Sequence, residues 1–262
     1  MRKIFLVLFF IQNFAVATIK EQIVNGTPVT PENPIAKSTV HITGKYQRFS
    51  FTCTGTIIAQ DLVVTAAHCL GPYAAADLTV FFGLNKNSSG TTYKVKKQIY
   101  PDAYNSSAEF DRHDIALLLL EKNIPAGYSA AEFLDSNTLL KENDLLTLAG
   151  YGITVTQMPA NGDGGMGQLR YAEQNIINPK YGDTEILINI KNKGTCSGDS
   201  GGPAYFVQNS KIFLVGAASR MTAKDIIPGS KPVQYACTEE IVYTNLIKEM
   251  SWIQTAIGLI RK

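Results

Sequence analysis

The ten-residue stretch 194–203, Gly-Thr-Cys-Ser-Gly-Asp-Ser-Gly-Gly-Pro, constrains this chain more than any other part of its sequence. Its glycines permit tight turns with positive φ and leave room for another molecule to approach. Such a turn can expose the Ser200 hydroxyl and direct the backbone N–H groups of Gly198 and Ser200 towards one point. Two converging N–H donors are what the oxyanion of an acyl-transfer transition state needs. Taken alone, a Gly-Asp-Ser-Gly sequence is more often a glycine-rich surface turn.

Two further motifs contain the other groups that a nucleophilic serine needs. Thr-Ala-Ala-His-Cys at 65–69 contains His68, and Asp114 stands at the mouth of the wholly apolar run 115–120. A carboxylate shielded from water there can accept a hydrogen bond from the Nδ1–H of a histidine and fix its tautomer. Considered by itself, Asp114 could equally be a cap at the start of a strand.

Together the three motifs resemble those of the chymotrypsin-like (trypsin-like) serine protease family, in the chain order His, Asp, Ser. The resemblance covers the chain from Ile23 onwards and implies an all-β fold of two antiparallel six-stranded β-barrels with a C-terminal α-helix. It implies a serine endopeptidase with His68, Asp114 and Ser200 as catalytic residues. Gly198 and Ser200 would form its oxyanion hole, its substrates would be proteins or peptides, and it would need neither a cofactor nor a metal.

The first 22 residues have the layout of export and processing segments. A basic start, the apolar run 4–11 and Ala15-Val16-Ala17 are the three parts of a secretory signal peptide, which we assign to residues 1–17. The apolar run is too short to span a bilayer, and no other stretch approaches that length. We therefore expect a secreted protein, extracellular or periplasmic, with no membrane span.

Residues 18–22 would remain as a short propeptide before Ile23-Val24-Asn25-Gly26, which looks like the mature start of the family. The resemblance implies a zymogen in which the freed amine of Ile23 pairs with Asp199. An activating protease is therefore among the expected partners. Gln22 stands where the family usually has Arg or Lys, so a trypsin-like activator is not expected to cut there.

We expect residues 23–262 to form the protease domain, with barrels at about 23–130 and 131–243 and the helix at 244–260. The helix is predicted by apolar residues recurring at three- and four-residue steps, Leu246, Met250, Ile253, Ile257 and Ile260. Its apolar stripe is expected to pack against a barrel. His41 falls in an alternating strand pattern and is expected to face solvent.

The four cysteines follow a predicted signal peptide, which favours two disulfides. Their spacing leaves three connectivities open. The family resemblance implies the pairs Cys53–Cys69 and Cys196–Cys237. A zinc site is not predicted, because the chain has neither a Cys-x-x-Cys pair nor clustered histidines.

The resemblance also implies a primary substrate pocket made by Gly194, Thr195, Ser219, Met221 and Ile241. Gly194 lies where trypsin-like members carry an aspartate, and an unpaired Arg⁺ or Lys⁺ buried there would face a desolvation cost of several kcal/mol. We therefore expect a small or medium apolar residue before the cut bond. The alternative is a register shift that brings Glu239 or Glu240 into the pocket and restores a basic preference.

Composition bears on the remaining classes of function. The chain has 24 Lys and Arg and 22 Asp and Glu, of which residues 1–22 hold three and one, so 21 of each remain. A neutral mature chain lacks the electrostatic footprint of a nucleic-acid binder. We expect a monomer whose partners include protein inhibitors.

Two other functions compete with an endopeptidase. A catalytically silent homologue that acts as a binding protein is the first, although such proteins usually lose a triad residue. A lipase or esterase is the second, but its usual order Ser, Asp, His is the reverse of this chain.

Overall fold

The computed structural model describes residues 23–46, 49–71, 74–156, 164–191, 193–229 and 236–262, so the predicted signal peptide and propeptide lie outside the described residues. The strands are β1 (Thr27–Pro28), β2 (Thr39–Tyr46), β3 (Phe49–Ala59), β4 (Leu62–Thr65), β5 (Leu78–Phe82), β6 (Thr91–Ile99), β7 (Ala116–Leu120), β8 (Leu145–Gly150), β9 (Arg170–Asn178), β10 (Glu185–Asn189), β11 (Pro203–Gln208), β12 (Lys211–Met221) and β13 (Glu240–Asn245). The α-helices are α1 (Ile35–Ser38) and α2 (Met250–Ile260), and short 3-10 turns lie at Ala67–Cys69, Ala75–Asp77 and Ala223–Asp225.

Strands β2 to β7 close into the first barrel in the order β2-β3-β4-β7-β6-β5, with antiparallel pairings throughout. The apolar run that follows Asp114 becomes β7, and every residue of β7 is buried. Leu118 and Leu120 point into this barrel, whereas Leu117 and Leu119 pack in the core that the two barrels share. A strand buried on both faces explains why its sequence does not alternate.

Strands β8 to β13 form the second barrel in the ring β8-β9-β10-β13-β12-β11, closed because β11 and β9 both pair with β8. The prediction of two antiparallel six-stranded barrels is confirmed. The short strand β1 pairs with β9, and Val24 packs in the core of the second barrel. The expected first-barrel range of 23–130 therefore needs a correction, because its first residues, 23–28, belong structurally to the second barrel.

The C-terminal helix is present but begins later than predicted. Asn245 is the last residue of β13, and its side-chain oxygen accepts hydrogen bonds from the amides of Ile247 and Lys248. These bonds hold a turn, so helix α2 starts at Met250 rather than at 244. Its buried residues pack beside Leu117 and Leu119 in the shared core, as its apolar stripe predicts. None of the helices in the described ranges is long and apolar enough to cross a membrane.

The expectation that His41 faces solvent is wrong. His41 is 2% exposed, because β2 lies between the barrels and is covered on both faces. Its ring packs 5.1 Å from the ring of Tyr151, whose hydroxyl donates a 2.7 Å hydrogen bond to the carbonyl of Gly83. Burial, together with the positive charge of Lys86, lowers the pKa of His41 to about 4, so this histidine is neutral at ordinary pH.

Candidate active site

His68 and Asp114 are brought together by the pairing of β4 with β7. The last residue of β4, Thr65, lies opposite the first residue of β7, Ala116, so the turn after β4 meets the residues before β7. The ring Nδ1 of His68 lies 2.8 Å from Asp114 Oδ2, and the backbone N–H of His68 donates to Asp114 Oδ1 at 2.9 Å. Both carboxylate oxygens therefore hold the same histidine.

The second barrel also holds Asp114. The hydroxyl of Ser219 donates to Asp114 Oδ2 at 2.7 Å, and the hydroxyl of Thr244 donates to the Asp114 carbonyl at 2.9 Å. Asp114 is buried, whereas the side chain of His68 is one-third exposed. The carboxylate is thus fixed from both barrels, while the other face of the imidazole remains open to the cleft.

The pKa values of this pair move in opposite directions. Burial alone would lower the pKa of His68, but the charge and hydrogen bond of Asp114 outweigh it, so that pKa lies above its ordinary value. Burial alone would raise the pKa of Asp114, but the charge of His68 and hydrogen bonds from His68 and Ser219 lower it. The arrangement favours a protonated imidazole beside an ionised carboxylate, which is the state that a general base reaches during catalysis.

Ser200 lies in a turn that is pinned to the first barrel. Its carbonyl accepts the N–H of Thr54 at 2.8 Å, and the Thr54 hydroxyl donates to the carbonyl of Gly198 at 3.1 Å. Gly201 has a φ of +75°, and a Cβ there would lie 2.0 Å from the hydroxyl oxygen of Thr65. Only glycine fits this position, because both the backbone conformation and the neighbouring side chain exclude a side chain.

The amides of the Ser200 turn divide into two groups. The N–H groups of Asp199, Gly201 and Gly202 each donate to a backbone carbonyl. Those of Gly198 and Ser200 donate to none of the other described residues. Within residues 198–202 these two free donors are the two that the sequence analysis expected in the oxyanion hole, and the N–H of Ser197 just before them also has no acceptor among the described residues.

Within the described residues, the Ser200 hydroxyl and the His68 ring form no hydrogen bond with each other. The two turns nevertheless contact each other, because the sulfur of Cys69, the residue after His68, lies 3.6 Å from the Ser200 carbonyl oxygen. Catalytic hydrogen bonds are often long in a free enzyme and tighten when the substrate binds.

Asp199 is buried beneath this turn. Its Oδ1 accepts the N–H of Gly152 at 2.7 Å, and its Oδ2 accepts the N–H of Cys196 at 2.8 Å. Burial raises the pKa of Asp199 to about 7, although the two N–H groups and the charge of Arg170 oppose that rise. The carboxylate therefore gains from any further positive charge that reaches it.

Gly150 and Gly152 make the space that Asp199 occupies. A Cβ on Gly150 would lie 2.1 Å from Asp199 Oδ1, and one on Gly152 would lie 2.5 Å from Asp199 Cγ. The Gly-Tyr-Gly sequence at 150–152 therefore places Tyr151 between the barrels. The two glycines that flank Tyr151 leave room for the single carboxylate of Asp199.

The start of the predicted mature chain lies beside the same loop. Ile23 is 1% exposed, and Val24 forms an antiparallel bridge to Gly194, whose N–H donates to the Val24 carbonyl at 3.0 Å. Residue 22 lies outside the described residues, so the structure gives no position for the propeptide.

A cavity of about 200 Å³ opens next to Ser200. Ser219, Met221 and Ile241 line it, together with the Cys196–Cys237 disulfide. Its described lining residues include no Asp or Glu, but they do include Arg220. The cavity therefore offers apolar walls and no counter-charge to a cation.

Gly194 and Thr195, which the resemblance implied for the pocket, do not line this cavity. Gly194 is held against Val24, and a Cβ there would lie 2.6 Å from the side chain of Ile190. Thr195 is fully buried, and its hydroxyl oxygen lies 3.5 Å from that of Tyr243. Both residues are packed inside the second barrel and are not among the residues that line the cavity.

Glu239 and Glu240 are also outside the cavity. Their backbone N–H groups donate to the buried carboxylate of Asp225, and the Glu240 carboxylate pairs with Lys224. Asp225 therefore fixes the register of this loop and opposes the shift that would bring a glutamate into the pocket. The sequence offered no signal for this role of Asp225, because the residues it binds lie 13 to 15 positions away.

Arg220 stands at the cavity's edge and is held by a second buried acid. Its guanidinium forms a two-pronged ion pair with the buried Glu185 and also donates to the carbonyl of Glu109. The same Arg220 and Met221 line a neighbouring cavity of about 290 Å³ that extends towards Tyr181 and Ile226. The two cavities therefore adjoin at Arg220 and Met221.

The two disulfides join Cys53 to Cys69 and Cys196 to Cys237. The Cys53 and Cys69 sulfurs and a ring nitrogen of His68 lie within 4.8 Å of one another. This cluster is not a metal site, because a metal binds the thiolate and both sulfurs are bonded to each other. The disulfide instead anchors the turn that carries His68.

A histidine backed by a buried carboxylate, beside a serine turn with two free amides, in the cleft between two antiparallel barrels, defines a serine hydrolase. The family model named Trypsin matches residues 23–252, and the chain belongs to that family. It is a serine endopeptidase, a hydrolase whose substrates are proteins or peptides.

Relatives in this family are distant but match over most of their length. The chain is 26% identical to Trypsin Blo t 3 of Blomia tropicalis in an alignment of 228 residues, which covers 79% of this chain and 78% of that protein. It is 27% identical over 228 residues to chymotrypsin-like elastase family member 1 of Felis catus, covering 79% of each. It is 27% identical over 230 residues to the vitellin-degrading protease of Bombyx mori, covering 82% and 79%.

Proposed function

We propose that this protein is a secreted endopeptidase that cuts peptide bonds through an acyl-enzyme, with Ser200 as nucleophile. His68 acts as general base and then as general acid, and Asp114 orients it. The observation that carries this assignment is the double contact of His68 with Asp114, at 2.8 Å from Nδ1 and 2.9 Å from the backbone N–H. These contacts keep the proton on Nδ1 and leave Nε2 as the base.

In the first half of the reaction, Ser200 Oγ bonds to the scissile carbonyl carbon as His68 Nε2 takes its proton. The tetrahedral oxyanion then accepts hydrogen bonds from the free amides of Gly198 and Ser200. Collapse breaks the C–N bond, and His68 returns the proton to the leaving amine. Water then attacks the carbonyl carbon of the acyl-enzyme while His68 takes its proton. The ester bond to Ser200 Oγ breaks, His68 returns the proton to Ser200, and the peptide acid leaves.

The proposed enzyme is made as a precursor and is activated when the bond before Ile23 is cut. The new amine would pair with Asp199, whose carboxylate lies under the oxyanion amides. The burial of Ile23 and the bridge from Val24 to Gly194 support this pairing. The activating protease would accept Gln22 before the cut, which makes it other than trypsin-like.

The proposed primary pocket uses Ser219, Met221, Ile241 and the Cys196–Cys237 disulfide, and it takes a small or medium apolar side chain. The cavity's volume of about 200 Å³ and its lack of a lining carboxylate support that choice. We further propose that the predicted signal peptide directs export, that the enzyme acts as a monomer and that protein inhibitors bind it.

Labelling by a fluorophosphonate tests the assignment directly. Protein that begins at Ile23 should react at Ser200, and the Ser200→Ala variant should not. A wild-type chain that is folded but fails to label would instead support the catalytically silent binding protein. Hydrolysis of peptides together with little or no hydrolysis of simple fatty-acid esters would exclude the lipase or esterase alternative.

A further inference from the structure

Arg170 faces the Asp199 carboxylate across the sheet of the second barrel. The pairing of β8 with β9 sets Gly150 directly opposite Arg170. Opposed residues in an antiparallel pair share a face of the sheet, with Cβ atoms about 5 Å apart. Gly150 has no side chain, and Asp199 Oδ1 lies 2.1 Å from where its Cβ would be. The carboxylate thus occupies the place of Arg170's cross-strand neighbour.

The burial of Arg170 requires an explanation. The residue is 7% exposed, its Nε has no hydrogen-bond partner among the described residues, and one terminal nitrogen donates to the Gln168 carbonyl at 3.3 Å. A guanidinium removed from water is costly unless an opposite charge compensates it. Burial lowers the pKa of Arg170 to about 10, and Asp199 is the group whose charge opposes that fall.

Arg170 and Asp199 do not form a direct ion pair here, because the carboxylate oxygens bind the amides of Gly152 and Cys196. In a site without solvent, however, a charge acts over several ångströms with little screening. The other side of Arg170 pairs with Pro28 in β1, five residues after Ile23. In the proposed activation step the freed amine of Ile23 pairs with Asp199, so it would join a site that already has one cation.

We propose that Arg170 is a positioning residue that supplies positive charge to Asp199 while Ile23 is still joined to Gln22. The uncleaved chain then holds the Ser200 turn in its working arrangement for part of the time and has a measurable basal activity. Cleavage adds the second cation and raises that activity. This inference rests on the proposed function, since it concerns the same serine, oxyanion amides and activation step.

The test compares two forms of the protein, each with and without the arginine charge. One form keeps the bond between Gln22 and Ile23 intact, as verified by mass spectrometry, and the other begins at Ile23. Each is made as wild type, Arg170→Gln, Arg170→Lys and, as a matched control, Arg261→Gln. Arg261 is an exposed arginine whose guanidinium pairs with Asp61, away from the cleft. The readouts are kcat/KM on a quenched peptide and the rate of fluorophosphonate labelling.

In the uncleaved form we expect wild type to turn over substrate and Arg170→Gln to lower kcat/KM about tenfold or more, since the oxyanion amides lose their support. Arg170→Lys should recover kcat/KM to within about threefold, because it keeps the charge. In the form beginning at Ile23, Arg170→Gln should change kcat/KM by less than about threefold, because the amine then supplies the charge. Arg261→Gln should match wild type in both forms.

Three results would overturn this inference: no turnover by the uncleaved wild type, an uncleaved Arg170→Gln equal to wild type, or equal losses in both forms without recovery by Lys. The last result would mark Arg170 as structural only. If the wild-type protein beginning at Ile23 does not label at all, the proposed function itself fails. An active mature enzyme with an unaffected uncleaved Arg170→Gln refutes the arginine's role alone.

Discussion

Ser219 donates a 2.7 Å hydrogen bond to Oδ2 of Asp114, the same oxygen that lies 2.8 Å from His68 Nδ1. Asp114 and His68 come from the first barrel, whereas Ser219 comes from β12 of the second. Ser219 therefore belongs both to the hydrogen-bond network of His68 and Asp114 and to the wall of the candidate substrate pocket.

Replacing Ser219 with alanine should move the acid limb of the kcat/KM profile to higher pH. Without the Ser219 bond, the Asp114 carboxylate is less stabilised and holds the protonated His68 more strongly, so the pKa of His68 rises further. A hydrogen bond of about 1 kcal/mol corresponds to a shift of about 0.7 pH units. The measurement is kcat/KM between pH 5 and 9, and a limb that stays in place or moves to lower pH would contradict the role given to Ser219.

The wild-type profile itself has a defined sign. Peptide hydrolysis needs neutral His68, and Asp114 raises the pKa of His68 above its ordinary value. Activity should therefore be low in acid and rise through a midpoint above about pH 6.5, the usual value for histidine. A midpoint clearly below that value would show that burial outweighs the carboxylate. His41 cannot produce this limb, because burial lowers its pKa to about 4.

Gly150→Ala should destabilise the fold and reduce activity together. The added Cβ would lie 2.1 Å from Asp199 Oδ1, so the carboxylate or the strand must shift. We expect a loss of about 1–3 kcal/mol in unfolding free energy and a lower kcat/KM. Gly258→Ala is the matched control, because its Cβ meets no atom within 4 Å in helix α2. That change should be neutral or stabilising by about 0.5–1 kcal/mol. Equal effects of the two substitutions would argue against the packing described for Asp199.

Asp199→Asn should lower activity in protein that begins at Ile23 while leaving the fold largely intact. The amide keeps the volume of the carboxylate but cannot balance the amine of Ile23. We expect kcat/KM to fall about 100-fold, as for loss of an oxyanion donor, with an unchanged circular dichroism spectrum. Asp61→Asn, at a partly exposed aspartate that pairs with Arg261, serves as the control. Full activity of Asp199→Asn, or of wild-type chain that still carries residues 18–22, would contradict activation through this pair.

Paired reporter peptides that differ only before the cut bond test the pocket. Ala, Leu or Phe should be preferred over Arg or Lys, because the described lining residues include Arg220 and no carboxylate. Met221→Ala should then improve Phe relative to Ala by enlarging the cavity. A preference for Arg or Lys of about tenfold or more, roughly 1.4 kcal/mol, would overturn the apolar assignment and direct attention to Glu239 and Glu240.

The sequence predicted what local motifs determine and missed what depends on pairing between distant segments. The two barrels followed from a family resemblance, and β7 and helix α2 could be located from their apolar patterns. His41 was misplaced because alternation within β2 does not reveal that a second barrel covers its outer face. The placement of Gly150 and Arg170 beside Asp199 depends on the β8–β9 register. The hydrogen bonds that Asp225 accepts from Glu239 and Glu240 join residues 14 and 15 positions apart. Neither arrangement has a signature in the local sequence.

Turnover of a quenched peptide by serine and histidine variants tests the central claim most directly. The protein should begin at Ile23, and each variant should be verified by mass spectrometry to be free of wild type. Ser200→Ala or His68→Ala should each lower kcat by about 10⁶, and the double variant should lose little more, because the two residues act as one unit. Peptidase activity of Ser200→Ala within about tenfold of wild type would contradict the assignment of Ser200 as nucleophile.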